Sequence, residues 1–214
     1  LRSCRWRTST CTLPATSTTL TVKANQKLAF KEKRVENTNL NDALIVIFFE
    51  DSTDSTENIM TQTNGLAKAI RYLQRHQHLT TANALGYSNG GLIWSRYLAG
   101  LSSSKPLAVH DLMLIGTPFL GTDAAHPDKT LYTPLLDHKN QFKKLHAVIN
   151  IAGDTGEGND DIVPLSSVNA GGNLFMNNVT RYTAMTVNQK SISHGDLLHE
   201  AYVARLIRQN LINQ

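Results

Sequence analysis

Cysteine is scarce in this sequence: Cys4 and Cys11 are the only two in 214 residues, both in an irregular N-terminal run. They could close one local bridge, but they exclude a disulfide framework or a thiolate metal site and say little about compartment. Long apolar runs are missing too; none approaches the ~20 residues of a membrane-spanning helix. There is no zinc-finger spacing, no EF-hand calcium loop and no aromatic-rich nucleic-acid signature. No internal repeat is visible. The first residues lack the charged-then-apolar layout of a signal peptide, and the chain opens on Leu1 rather than methionine. We read it as a fragment or a processed form.

Charge is present but uneven. Eight of the 21 Lys and Arg fall within residues 1–34, against one acid, Glu32. The remainder is mildly acidic. The basic flank reads as solvated, so no nucleic-acid partner is expected.

The length suits one domain. Residues 1–19, rich in Arg, Ser and Thr, read as an irregular segment foreign to the fold, and the domain is placed at 20–214. "TLTVKANQKLAFKEK" predicts a hairpin about Asn25-Gln26. "ALIVIFF" (43–49) predicts a strand covered on both faces. Apolar positions at Ile59, Leu66, Ala69, Ile70 and Leu73 predict a helix over 58–78, with His76 and His78 at its C-terminal end. Strands are expected at 83–87, 111–116, 146–153 and 179–187, with a helix at 90–99 whose Trp94 and Tyr97 are core residues. A single amphipathic helix is expected over 196–212. Strands alternating with helices make an α/β domain with a mainly parallel sheet.

Between the strand "ALGY" and the helix "LIWSRYLAG" lies Gly86-Tyr87-Ser88-Asn89-Gly90, which fits G-x-S-x-G. This pattern forms a tight, strained turn that lifts a serine hydroxyl off the sheet, with glycines where strand and helix pass close. The backbone N–H of Asn89, at the helix start, can stabilise an oxyanion. A serine nucleophile needs a histidine base oriented by a carboxylate, in the order Ser, acid, His. The acidic loop "GDTGEGNDDIVP" offers Asp160, with Asp161 in reserve; Asp154 and Glu157 are neighbours. "SISHGDLLHE" offers His194 before the last helix and His199 inside it. His110, His126, His138 and His146 show no metal-ligand spacing, so no metal is expected.

With these parts in order the chain resembles the α/β-hydrolase superfamily, and more narrowly the lipase-like hydrolases of Gram-positive bacteria grouped as domain of unknown function 915. The matching stretches are "ALIVIFFEDSTDS", "ALGYSNGGLIW", "LMLIGTPFLG", "DDIVPLSS" and "HGDLLHE". The resemblance implies an α/β-hydrolase fold with helices on both faces of the sheet and a triad of Ser88, Asp160 and His194. It also implies an extracellular or cell-envelope location. Tyr87 stands where many relatives have His, and Asn89 where many have Met. Relatives have an upstream strand and a His-Gly loop giving a second oxyanion donor, to which residues 1–19 bear no likeness; truncation or a reading-frame error would explain this. A chain without that segment is expected to be poorly soluble and weakly active when expressed alone.

The reading that follows is a serine hydrolase acting on small or lipid-like carboxylic esters, without cofactor. Its alternative is a non-catalytic cell-envelope binding protein that keeps the fold. The segment from Thr117 to Lys144, overhanging the serine, is too short for a large lid.

Overall fold

In the computed structural model, residues 17–25, 27–33, 44–190 and 192–212 are described. Cys4, Cys11, the arginines of the N-terminal run, Gln26 and Ala43 lie outside them. The described residues fall into two units, one ending at Glu50 and one beginning at Asp51.

The first unit is a three-stranded sheet. β1 (Ser17–Val22) pairs antiparallel with β2 (Leu28–Lys33), giving the expected hairpin, and parallel with β3 (Leu44–Phe49). The turn is tied by Asn25, whose side-chain oxygen accepts the Lys27 N–H at 3.0 Å. Two expectations need correction here. Strand structure begins at Ser17, so the irregular segment cannot extend to residue 19. β3 is also not covered on both faces: Leu44, Val46 and Phe48 are 38%, 40% and 58% exposed. An unbroken apolar run records that a strand resists water, but it does not say which face is covered.

The second unit is built on an all-parallel sheet of β4 (Thr81–Tyr87), β5 (Ala108–Ile115), β6 (Ala147–Asp154) and β7 (Arg181–Asn188), in that spatial order. Parallel neighbours require crossovers, and helices supply them. α1 (Thr56–His76) opens on Ser55, whose hydroxyl accepts the Asn58 N–H at 3.1 Å. It buries Ile59, Leu66, Ala69, Ile70 and Leu73, as the spacing predicted. α2 (Asn89–Leu98) follows β4 and buries Tyr97 completely, whereas Trp94 is only part-buried. α3 (Tyr132–Asp137) and a 3₁₀ turn (Lys139–Lys144) lead into β6. α4 (Leu165–Asn169) and α5 (Gly172–Phe175) join β6 to β7.

Both faces of β5 and β6 are buried, and period-two alternation separates them. Met113, Ile115, Ile149 and Ile151 point to one face, where they meet Ile192, Leu197 and Val203 of the C-terminal segment. Ala152, one residue on from Ile151, packs on the other face with Val163 and Val168. Full burial of each such aliphatic side chain is worth roughly 1.5–3 kcal/mol, so the sheet is a rigid base for what stands at its carboxyl edge.

The C-terminal segment is not the single helix expected. A 3₁₀ turn (His194–Leu198) with a Ser193–Asp196 capping box is followed by α6 (Ala201–Ile207) and a π-helical turn (Arg208–Ile212). Asp196 accepts from both the N–H and the hydroxyl of Ser193, which fixes where the turn begins. The break puts His199 between helices, exposed, rather than inside one. Among the described residues no helix is long and apolar enough to cross a membrane.

Candidate active site

β4 ends at Tyr87, and the next residue turns sharply. Ser88 has φ 53° and ψ −129°, a backbone region that a side chain adopts only at a cost of ~1–3 kcal/mol. The surroundings hold it there. Its N–H donates to Ile115 O at 2.8 Å and its carbonyl accepts the Gly91 N–H at 2.9 Å. α2 starts immediately afterwards, and the N–H groups of a helix's first turn have no intrahelical partner. Asn89 therefore presents its N–H beside the serine, while its side chain donates to Asp54 Oδ1 at 2.9 Å.

The close passage of strand and helix falls on Gly86 and Gly91, not on Gly90. A Cβ on Gly86 would lie 2.6 Å from Gly91 Cα, and one on Gly91 would lie 1.9 Å from Thr117 Oγ1, whereas one on Gly90 would meet nothing within 4 Å. The five-residue pattern thus marks the turn correctly but assigns the steric need to the wrong second glycine.

The loop after β6 brings the acid. Asp154 Oδ1 accepts the N–H groups of Gly156 and Gly158 and so shapes this loop. Asp160 is fully buried, whereas Asp161 is exposed with φ 72°. Oδ1 of Asp160 accepts the Val163 N–H at 2.7 Å, and Oδ2 lies 2.8 Å from His194 Nδ1. Burial pushes this carboxyl up, but the hydrogen bond from His194, the Val163 N–H, the His194 charge and the Ile162 N–H outweigh it, and the group is held below the usual carboxylate range. It therefore stays ionised against the imidazole.

His194 opens the 3₁₀ turn and is 5% exposed. Tyr87 stacks on its ring with centroids 4.9 Å apart, and the Tyr87 hydroxyl donates to the His194 carbonyl at 2.9 Å. Burial, with the charges of Asp160 and Asp196, pushes the Tyr87 phenol up to about 12, so it remains a donor. Gly116 makes room for the imidazole: it sits at φ 57°, and a Cβ there would lie 2.7 Å from His194 Cε1. His194 Nε2 is buried with no hydrogen-bond partner among the described residues. The structure thus joins Asp160 to His194 and seats both beside the serine turn, with Ser88 not hydrogen-bonded to Nε2.

Next to Asn89 opens a cleft of about 310 Å³. Ile59, Leu92, Phe119 and Leu131 give it apolar walls, and Asp54 and Asp123 give it acidic ones. Part of the segment from Thr117 to Lys144 forms one side.

The family of "Alpha/beta hydrolase of unknown function (DUF915)" matches residues 14–214, nearly the whole chain. The chain belongs to this family. The fold of this α/β-hydrolase is shared with the "putative cell surface hydrolase" of Lactobacillus plantarum WCFS1, whose crystal structure matches with a TM-score of 0.76 and 29% identity over 91% of this chain and 78% of that one. A gene product of Listeria innocua matches with the same TM-score at 21% identity, covering 91% of this chain and 81% of its own. No curated protein matches.

Sequence reasoning missed Tyr87, Gly116 and Asp54 as site residues. Gly116 could have been suspected from "LIGTP", a glycine ending a buried strand. Nothing in the sequence pairs Tyr87 with His194, which are 107 positions apart. Among the described residues, His110, Asp111 and His146 gather donor atoms within 4.8 Å of one another although no ligand spacing announces them.

Proposed function

We propose that this α/β-hydrolase cleaves carboxylic esters through an acyl-enzyme on Ser88. The observation that carries the reading is the buried 2.8 Å contact between Asp160 and His194, set beside a serine in the strained turn at a helix N-terminus. Asp160 bonded at Nδ1 holds the imidazole with its other nitrogen free to accept a proton. His194 Nε2 takes the Ser88 proton as the hydroxyl oxygen attacks the ester carbonyl. The oxyanion that develops is met by the Asn89 N–H. His194 then gives the proton to the leaving alcohol, and a water activated by the same nitrogen hydrolyses the acyl-serine.

A cell-envelope location is part of the proposal. It rests on the surface assignment in the name of the L. plantarum relative.

Fluorophosphonate labelling followed by peptide mapping tests the reading, since an activated serine is required for reaction. Modification at Ser88, abolished by prior denaturation, is expected. An unlabelled, folded protein that also leaves p-nitrophenyl acetate intact would favour a binding module that retains the fold.

A further inference from the structure

At the opposite end of the parallel sheet from Ser88, two strands begin with an unusual set of donors. His110 and Asp111 lie near the start of β5, and His146 immediately precedes β6. His110 Nδ1 is 3.2 Å and His146 Nδ1 is 3.1 Å from the same oxygen, Oδ1 of Asp111. The two imidazoles stack with centroids 4.6 Å apart. The carboxylate is 3% exposed, while the rings are 56% and 45% exposed.

We propose that His110, Asp111 and His146 bind one divalent transition-metal ion, with zinc the reference case. Zinc sits about 2.0–2.1 Å from imidazole nitrogen and 2.0–2.2 Å from carboxylate oxygen, so neighbouring ligand atoms in a tetrahedron are about 3.3 Å apart. The two nitrogen–oxygen separations here are close to that edge length. The remaining edge, between the two nitrogens, closes by rotation of rings that are half in water. Asp111 is already oriented: its Oδ1 also accepts the Ala147 N–H at 2.9 Å, the kind of outer contact that fixes a ligating carboxylate. The donor set of two imidazoles and one carboxylate suits zinc, nickel or copper rather than calcium or magnesium, which prefer all-oxygen shells.

The role is structural. Gly116, which touches His194, is five residues along β5 from Asp111, or about 16 Å at strand rise. A metal at this end cannot reach the chemistry of Ser88. It would instead cross-link the starts of β5 and β6, where His146 N–H already donates to His110 O at 2.8 Å. Binding to the folded state alone raises stability by mass action.

The test uses untagged protein and zinc sulfate, with bound metal measured by equilibrium dialysis and elemental analysis. One zinc per chain is expected, and the thermal midpoint should rise by about 5 °C when zinc is near 100 times its dissociation constant. The double variant His110→Ala/His146→Ala should lose affinity at least about tenfold and lose the thermal shift. His138→Ala, an exposed histidine bonded to Pro134 O, should change neither. Cobalt(II) added to the unaltered protein should give the intense visible bands of a low-coordinate nitrogen–oxygen site, a readout independent of any variant. Two results would overturn the assignment: a cobalt spectrum identical to that of the aqueous ion, or zinc affinity equal in the double variant and the parent. Either would leave the cluster as two histidines hydrogen-bonded to one carboxylate.

Discussion

His194 Nδ1 lies 2.8 Å from Asp160 Oδ2, while Asp161, the next residue, is exposed and in the left-handed region. Adjacent carboxylates thus differ completely in environment. Asp160→Asn would place an amide donor against Nδ1 and favour the wrong tautomer, and a loss of turnover near 10⁴-fold is expected by analogy with the serine-protease triad. Asp161→Asn keeps a residue type that tolerates positive φ and should leave turnover close to the parent. Steady-state hydrolysis of p-nitrophenyl acetate by both variants is the check. The reverse ranking would move the orienting role to Asp161.

Ser88 combines a proposed chemical duty with backbone strain, and two substitutions separate them. Ser88→Ala should lose hydrolysis by several powers of ten with stability little changed. Ser88→Gly should be equally inactive but more stable, by about 1 kcal/mol or more, because glycine accepts φ 53° and ψ −129° without a Cβ penalty. Urea unfolding of the pair measures the difference. A glycine variant less stable than the alanine one would mean that the turn is not strained.

Much of the second unit was legible in the sequence because its signals are local. The strands at β4 to β7 each stand on a short apolar run, and α1 on helical spacing. The Ser88 turn stands on small residues between two such runs. Asp160 and His194, taken from two loops far apart in the sequence, do meet in space. What escaped depends on distant pairings or on a local competition that hydrophobic periodicity does not record. The apparent helix over 196–212 is broken because Ser193 and Asp196 cap a separate 3₁₀ turn. His110 and His146 look unrelated until the β5–β6 register sets Asp111 opposite Ala147. The exposed face of β3 likewise depends on its neighbours rather than on its own sequence.

Tyr87 gives a pH-dependent prediction. Its phenol is raised to about 12 in the folded protein, against ~10 when unfolded. The folded state therefore holds this proton more tightly. The resulting stabilisation is fully present below pH ~10 and is lost as pH rises from there towards 12. Tyr87→Phe keeps the ring over His194 but removes the hydrogen bond to its carbonyl, so it should be less stable at pH 9 by about 1 kcal/mol. At pH 11 the gap between parent and variant should be narrower. A gap that widened on going from pH 9 to pH 11 would contradict the raised phenol.

The glycines around Ser88 give the last prediction, because the structure separates their roles more finely than the sequence pattern does. Alanine at 91 would drive a Cβ to 1.9 Å from Thr117 Oγ1 and 2.8 Å from its Cγ2, and Thr117 is fully buried and cannot swing away. Alanine at 86 would meet the Gly91 backbone at 2.6 Å and the Gly90 carbonyl oxygen at 2.7 Å, atoms that move only if strand and helix part. Each substitution overpacks a closed contact and should cost about 1–3 kcal/mol or more. Hydrolysis should fall as well, since separating β4 from α2 displaces Ser88 and the Asn89 N–H together. Gly90→Ala meets open space and, sitting in the first turn of α2, should be neutral or gain up to about 1 kcal/mol from helix propensity. It should also keep parental hydrolysis. Urea midpoints for the three single variants decide the matter: equal losses at 86, 90 and 91 would mean that the helix does not pack on the strand as described.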